Sequence, residues 1–227
     1  MRRPTLQRIQ RYLLLVSFAT LLGIALIAWQ IASQDFVAEL FAKHIALISG
    51  HAGNDSGATC VDADGKTTVT EAHVVANVTQ LAAQRLRRAG ANVTILNEFD
   101  DRLSGLHADV LLSMHADSCI DNSGYKAAAS FSRPLAAADQ RLVACIEQFY
   151  PAATGLAPNP NTITHDMTNY HAFREIDPST PAAIIETGFL GGDQDLLVKR
   201  PEVVAKGITD SLICFFTKEP SAKANKP

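Results

Sequence analysis

From His44 to Phe216 the chain alternates between short apolar runs and longer stretches with helical spacing. That alternation constrains the fold more than any other feature. "HIALIS" (44–49) reads as a buried strand. "TEAHVVANVTQLAAQRLRRAG" (70–90) is an amphipathic helix, with Val74, Val78, Leu81 and Leu86 at helical intervals and Gly90 as its stop. "NVTIL" (92–96) and Asp109–Met114 are further strands, and "KAAASFS" (126–132) is a weaker candidate. "PLAAADQRLVACIEQFY" (134–150) reads as a helix with Pro134 at its start, "AAIIETGFL" (182–190) as a buried strand, and "PEVVAKGITDSLICFF" (201–216) as a closing helix. Residues 151–181, rich in Pro, Asn and Thr, read as a long loop. Strands alternating with helices predict a three-layer α/β domain, a mixed and mostly parallel sheet flanked by helices.

A second segment is of another kind. "LLLVSFATLLGIALIAWQIA" (13–32) has no charged residue and is long enough to cross a hydrocarbon core as one helix. The four arginines of "MRRPTLQRIQRY" precede it; with a net charge of −3 for the whole chain, they leave −7 for the rest. That asymmetry orients the amino terminus toward the cytoplasm and exports the domain. Trp29 stands where an interfacial aromatic belongs. A cleaved signal peptide is the competing reading, with Ala32 the best small residue for a cut and Gln30 against it. The expected organisation is a basic cytoplasmic segment (1–12), a transmembrane anchor (13–32), a short linker (33–43), the α/β domain (44–217) and a disordered polar tail (218–227). The acidic balance argues against a nucleic-acid partner, and the domain is expected to be monomeric.

Polar residues gather where strands end. His51 follows the first strand, His115 follows "VLLSM", and Glu186 lies near the end of "AAIIE". In α/β sheets, sites form outside the carboxyl ends of strands. Glu71 opens the first helix. Two histidines and a carboxylate from separate segments make a catalytic zinc set that leaves a fourth position for water, and a second carboxylate can take that water's proton. Each residue alone has an ordinary reading: a solvated histidine, or a glutamate placed for the helix dipole. Glu186 inside an apolar strand is the odd one, because a buried charge without a partner is costly.

Together these residues resemble the zinc-dependent N-acetylmuramoyl-L-alanine amidases of bacterial cell walls, over about Ile45 to Phe216. "SGHAGNDSGA" is similar to the family's Gly-His-Gly-Gly-x-Asp-x-Gly-Ala loop, whose histidine binds zinc, and this implies His51 as a ligand. The resemblance likewise implies Glu71 in "VTEAHVVANVTQLAAQRL" and His115 in "LLSMHADS" as the other ligands. It implies Glu186 in "IIETGFL" as the catalytic glutamate. The implied reaction is hydrolysis of the amide between N-acetylmuramic acid and the L-alanine of the stem peptide in peptidoglycan. Another exported zinc peptidase, or a non-catalytic wall-binding domain of the same fold, are the alternatives. The chain departs from the family pattern at Ala52, at Asp117 and in "GFLGGDQD", and the resemblance assigns no substrate-binding residue.

If one zinc gathers His51 and His115, it also brings together the loops that carry Cys60 and Cys119. A Cys60–Cys119 disulfide is then expected, with free thiols or a thiolate ligand as alternatives. Cys145 and Cys214, on two predicted helices, either pair or are small buried cysteines. His165 and His171 in the long loop either face substrate, or serve as a replacement ligand, or are solvated or locally hydrogen-bonded. The Asn-x-Ser/Thr triplets at Asn54, Asn77 and Asn92 read as chance matches.

Overall fold

The computed structural model describes residues 3–34 and 37–217, with side chains in the first of these segments described for 8–26. Trp29's side chain and the polar tail 218–227 lie outside the described residues. The chain divides into two units, 1–36 and 37–227. The first is helix α1, Arg3–Gln34. Its Arg8–Leu26 stretch has a mean hydropathy of 1.7 and is long and apolar enough to cross a membrane. A signal sequence would meet the same test.

The second unit begins inside the expected linker. Val37 N–H donates to Ala89 O, Ala42 N–H donates to Gly90 O, and Leu40 is fully buried. Residues 37–43 therefore pack as part of the domain, against the end of the first amphipathic helix. The strands are β1 (His44–Ser49), β2 (Thr59–Val61), β3 (Thr67–Thr70), β4 (Asn92–Leu96), β5 (Val110–Asp117), β6 (Lys126–Ala128) and β7 (Ala182–Phe189). The helices are α2 (Glu71–Arg88), α3 (Ala136–Thr154), α4 (His165–Thr168), α5 (Ala172–Glu175), α6 (Gln194–Lys199) and α7 (Pro201–Thr217). The main sheet runs β4-β1-β5-β7-β6. Its first four strands are parallel and β6 is antiparallel to β7. This is the mixed, mostly parallel sheet the alternation predicts.

Strand side chains point alternately to the two faces. Ile45, Leu47, Val110, Leu112, Met114, Ala183 and Ile185 join α2, α3 and α7 in one core. Ala46, Ile48, Leu111, Ala182 and Ile184 face a second core with Met167, Tyr170, Phe173 and Ile176. Residues 151–181 are therefore the layer that covers this second face. The Pro, Asn and Thr content hides the three-residue spacing of those four apolar side chains, of which Met167 lies in α4 and Phe173 in α5. The β2–β3 hairpin and α6 are also absent from the sequence reading. Both are too short for a periodic signal.

Helix α2 starts where Thr70 accepts a hydrogen bond from His73 N–H, a cap that typically contributes about 1 kcal/mol. Glu71 is thereby fixed in the first turn. At the β4 edge, Arg87 Nη2 donates to Val93 O and Arg102 Nη2 to Ile95 O. These side chains occupy carbonyls that would otherwise invite another strand.

Candidate metal and catalytic site

Because β1, β4, β5 and β7 run parallel, their carboxyl ends lie along one edge of the sheet. Alternation then selects the face. His115 follows Met114 in β5, and Glu186 follows Ile185 in β7, so both leave the α2/α3/α7 side. They are also direct neighbours across the strands, and Glu186 is paired in turn with Lys126 of β6. A one-residue slip of either strand would turn its polar group to the other side.

β1 delivers His51 differently. The strand ends at Ser49, and Gly50 N–H donates to Met114 O at 3.0 Å. A side chain at Gly50 would collide with the His115 ring, 2.6 Å from its Cε1. His51 then takes a left-handed backbone, φ 63°, which costs a non-glycine residue on the order of 1–3 kcal/mol. Its amide is held by Glu98 Oε2 at 2.9 Å.

The ligand-type atoms of His51, Glu71 and His115 all lie within 4.8 Å of one another. Glu71 Oε1 is the common point, 3.3 Å from His51 Nε2 and 3.1 Å from His115 Nδ1. Backbone amides hold the carboxylate in place: Ala116 N–H donates to Oε1 and Ala58 N–H to Oε2, each at 3.0 Å. Gly57, with φ 61°, lets the loop pass over the pair. A Cβ there would stand 2.6 Å from Glu71 Oε2 and 2.8 Å from His51 Cδ2. On the outer side, His51 Nδ1 meets Asp55 Oδ1 at 2.6 Å, and the Gly57 amide pulls that carboxyl below its usual range with help from His51.

Glu186 is half-buried, and its Oε2 is shielded with no hydrogen-bond partner. Burial pushes its carboxyl up to about 7. His115 and Lys126 oppose that rise, while Glu71 and Asp117 add to it. Lys126 Nζ donates to Asp117 Oδ2 at 2.5 Å and to Thr162 O at 2.7 Å. The departure at Asp117 thus supplies the partner of a buried lysine next to Glu186. The departure at "GFLGGDQD" also has a structural cause. Gly191 and Gly192 lie against the backbone of Ile120 and Asn122, and a Cβ would be 2.1 Å and 2.0 Å from their carbonyl oxygens.

Sequence reasoning missed Glu98. It stands just past β4, is buried, and lies 3.4 Å through Oε2 from His115 Nε2. The strand-end comparison that singled out His51, His115 and Glu186 extends to "NVTIL" and reaches this residue. The loop histidines separate: His165 is exposed, whereas His171 is largely buried and bonds Glu98 Oε1 at 3.1 Å.

Cys60 and Cys119 are bridged, and so are Cys145 of α3 and Cys214 of α7. The first bridge joins the hairpin beyond the His51 loop to the segment after His115. Its 59-residue separation makes it worth about 4 kcal/mol in the chain-entropy model. Cys60→Ser/Cys119→Ser protein is expected to melt lower than the oxidised parent and to hold a metal ion less tightly at the His51, Glu71 and His115 cluster. Calorimetry and chelator competition check this, and parent protein made under reducing conditions, which lacks the Cys145–Cys214 bridge as well, should melt lower still.

Residues 45–213 match the family model described as N-acetylmuramoyl-L-alanine amidase. The chain belongs to this family. Among solved structures it resembles the N-acetylmuramoyl-L-alanine amidase from Clostridium difficile 630, at 19% identity and a TM-score of 0.59, over 77% of this chain and 96% of that one. The catalytic domain of CwlV from Bacillus (Paenibacillus) polymyxa var. colistinus is 22% identical with a TM-score of 0.55, over 75% and 96%. Ami1 from Mycobacterium smegmatis is 15% identical with a TM-score of 0.57, over 78% and 98%. Comparison with curated proteins returns no match. At these identities the structural likeness establishes the fold, and the family match makes the chain a cell-wall amidase, with peptidoglycan the substrate the family implies.

Proposed function

We propose that this amidase holds one zinc ion through His51, Glu71 and His115 and uses Glu186 to move protons during hydrolysis. The bond cut joins the lactyl group of N-acetylmuramic acid to the L-alanine of the stem peptide. The convergence of the three ligand atoms within 4.8 Å carries this reading. Their chemistry fits the ion: two imidazole nitrogens and one carboxylate oxygen are a catalytic zinc set with room for a fourth ligand. The surroundings fit too. Both glycines beside the set, Gly50 and Gly57, leave no room for a side chain, and each histidine turns its other ring nitrogen toward a carboxylate, Asp55 or Glu98. With all four cysteines in disulfides, no thiolate is available to close the site.

Zinc at such a site supplies Lewis-acid polarisation of the amide carbonyl and makes water acidic enough to attack near neutral pH. The chain's own residues do the rest. Glu186 Oε2, shielded and without a protein partner, accepts the water's proton and returns one to the leaving amine. Its raised affinity for protons suits both halves of that transfer. Lys126, pinned by Asp117 and Thr162 O, places a positive charge beside Glu186.

Helix α1 is read as an uncleaved anchor that confines the domain on the extracytoplasmic side, close to its substrate. Digestion of purified peptidoglycan tests the reaction. Stem peptides should appear with free L-alanine amino ends, leaving glycan strands with intact lactyl carboxyls. New amino ends at other residues would instead mark a wall peptidase.

A further inference from the structure

Glu98 is 5% exposed and touches both histidines of the proposed metal set. Its Oε2 accepts the His51 amide at 2.9 Å and faces His115 Nε2 at 3.4 Å. Its Oε1 accepts the Tyr170 hydroxyl at 2.8 Å and meets His171 Nε2 at 3.1 Å. Both carboxylate oxygens are therefore engaged, one toward the site and one toward the layer formed by residues 151–181. The surrounding backbone holds the carboxylate there. Glu98 N–H donates to Ala52 O at 3.1 Å, and a Cβ at Gly53 would lie 2.8 Å from the Asn97 side chain. The His51 loop and the end of β4 are thus locked together.

The orientation of His115 gives this contact its meaning. Nδ1 faces Glu71 Oε1, so Nε2 is the nitrogen left over. That atom is buried and makes no hydrogen bond within the protein. A carboxylate facing the far nitrogen keeps the proton there, leaves the near lone pair for a metal and fixes the ring plane. Asp55 stands in the same relation to His51, but it is exposed and belongs to the loop of the residue it serves. Glu98 is buried, reaches both histidines, and is aimed by two residues from a separate segment.

We propose that Glu98 is a positioning residue that sets the separation of His51 and the ring orientation of His115 for metal binding, and that Tyr170 and His171 aim it. The segment 151–181 then acts on metal affinity without supplying a ligand. This rests on the assignment of His51, Glu71 and His115 as the metal set. Tyr170 also accepts the Ser113 hydroxyl at 3.1 Å, from the strand that carries His115. Its own hydroxyl proton is therefore directed at Glu98.

The test compares parent, Glu98→Gln and Tyr170→Phe proteins. Zinc affinity is measured by chelator competition, the absorption bands of the cobalt-substituted proteins are recorded, and circular dichroism of the metal-free forms checks the fold. Glu98→Gln should keep the fold, bind zinc about 10- to 100-fold more weakly and shift the cobalt bands. Tyr170→Phe should move both readouts in the same direction by less. A folded Glu98→Gln protein with parental affinity and parental cobalt bands overturns the inference. If Glu98→Gln does not fold, Tyr170→Phe decides: unchanged affinity and bands overturn it, and weaker binding with shifted bands supports it. A parent that binds no zinc removes the metal assignment and this inference together. A parent that binds zinc no better than Glu98→Gln removes this inference alone.

Discussion

Glu186→Gln protein is expected to fold, bind zinc and lose about 100- to 10,000-fold of its hydrolytic rate, the usual range for a general base. The substitution keeps the shape and removes the proton acceptor. Steady-state turnover of peptidoglycan fragments measures the loss, and near-parental turnover would assign the proton transfer to another group. The same variant has a second expected signature in metal-free protein. Burial raises the Glu186 carboxyl from its ordinary 4.5 to about 7. A group raised in the folded state contributes stability below its unfolded value and loses it as pH rises through the folded one. Ionised Glu186 therefore destabilises the metal-free fold above pH 7, by on the order of 3 kcal/mol. Chelator-treated Glu186→Gln should be more stable than the parent at pH 8, and that advantage should fade below pH 4.5. Denaturant unfolding at the two pH values reads the difference directly.

His51→Ala and His115→Ala proteins are expected to lose zinc and, with it, activity. Each substitution removes one of three donors and leaves a two-ligand remnant. It also strands a carboxylate: Asp55 loses the ring it bonds at 2.6 Å, and Glu98 loses the ring it faces at 3.4 Å. Elemental analysis after dialysis should find well below one equivalent of zinc in either variant. Full occupancy in both would end the ligand assignment. The two variants should differ in stability. His115 is buried and His51 is partly exposed, so truncation at His115 leaves a cavity beside two carboxylates, whereas solvent can fill the space at His51.

Several parts of the fold were legible because they rest on local periodicity. The valines and leucines of α2 repeat at helical spacing over many turns, and β1, β5 and β7 are apolar runs bounded by polar residues. Both signals survive without knowledge of the neighbours. The strand-end positions of His51, His115 and Glu186 were legible for the same reason. Residues 151–181 were not. Met167, Tyr170, Phe173 and Ile176 sit among prolines, asparagines and threonines, in or just beyond helices of four residues each. Such turns have no stability of their own, and their apolar side chains acquire a role only against a sheet face already in place.

The sequence by itself determined the order of the longer strands and helices, the apolar amino-terminal segment, and which residue types stand at the strand ends. Those are properties of neighbouring residues along the chain. Tertiary structure alone decided that β4 lies beside β1, so that a carboxylate two residues past "NVTIL" reaches the amide of one histidine and the ring of another. It also decided that Lys126 is paired with Glu186, that all four cysteines are bridged, and that His171, but not His165, joins the network around the site. Each of these is a contact between residues far apart in sequence. Such contacts depend on strand order and on which face a side chain leaves from, and neither is written in local spacing.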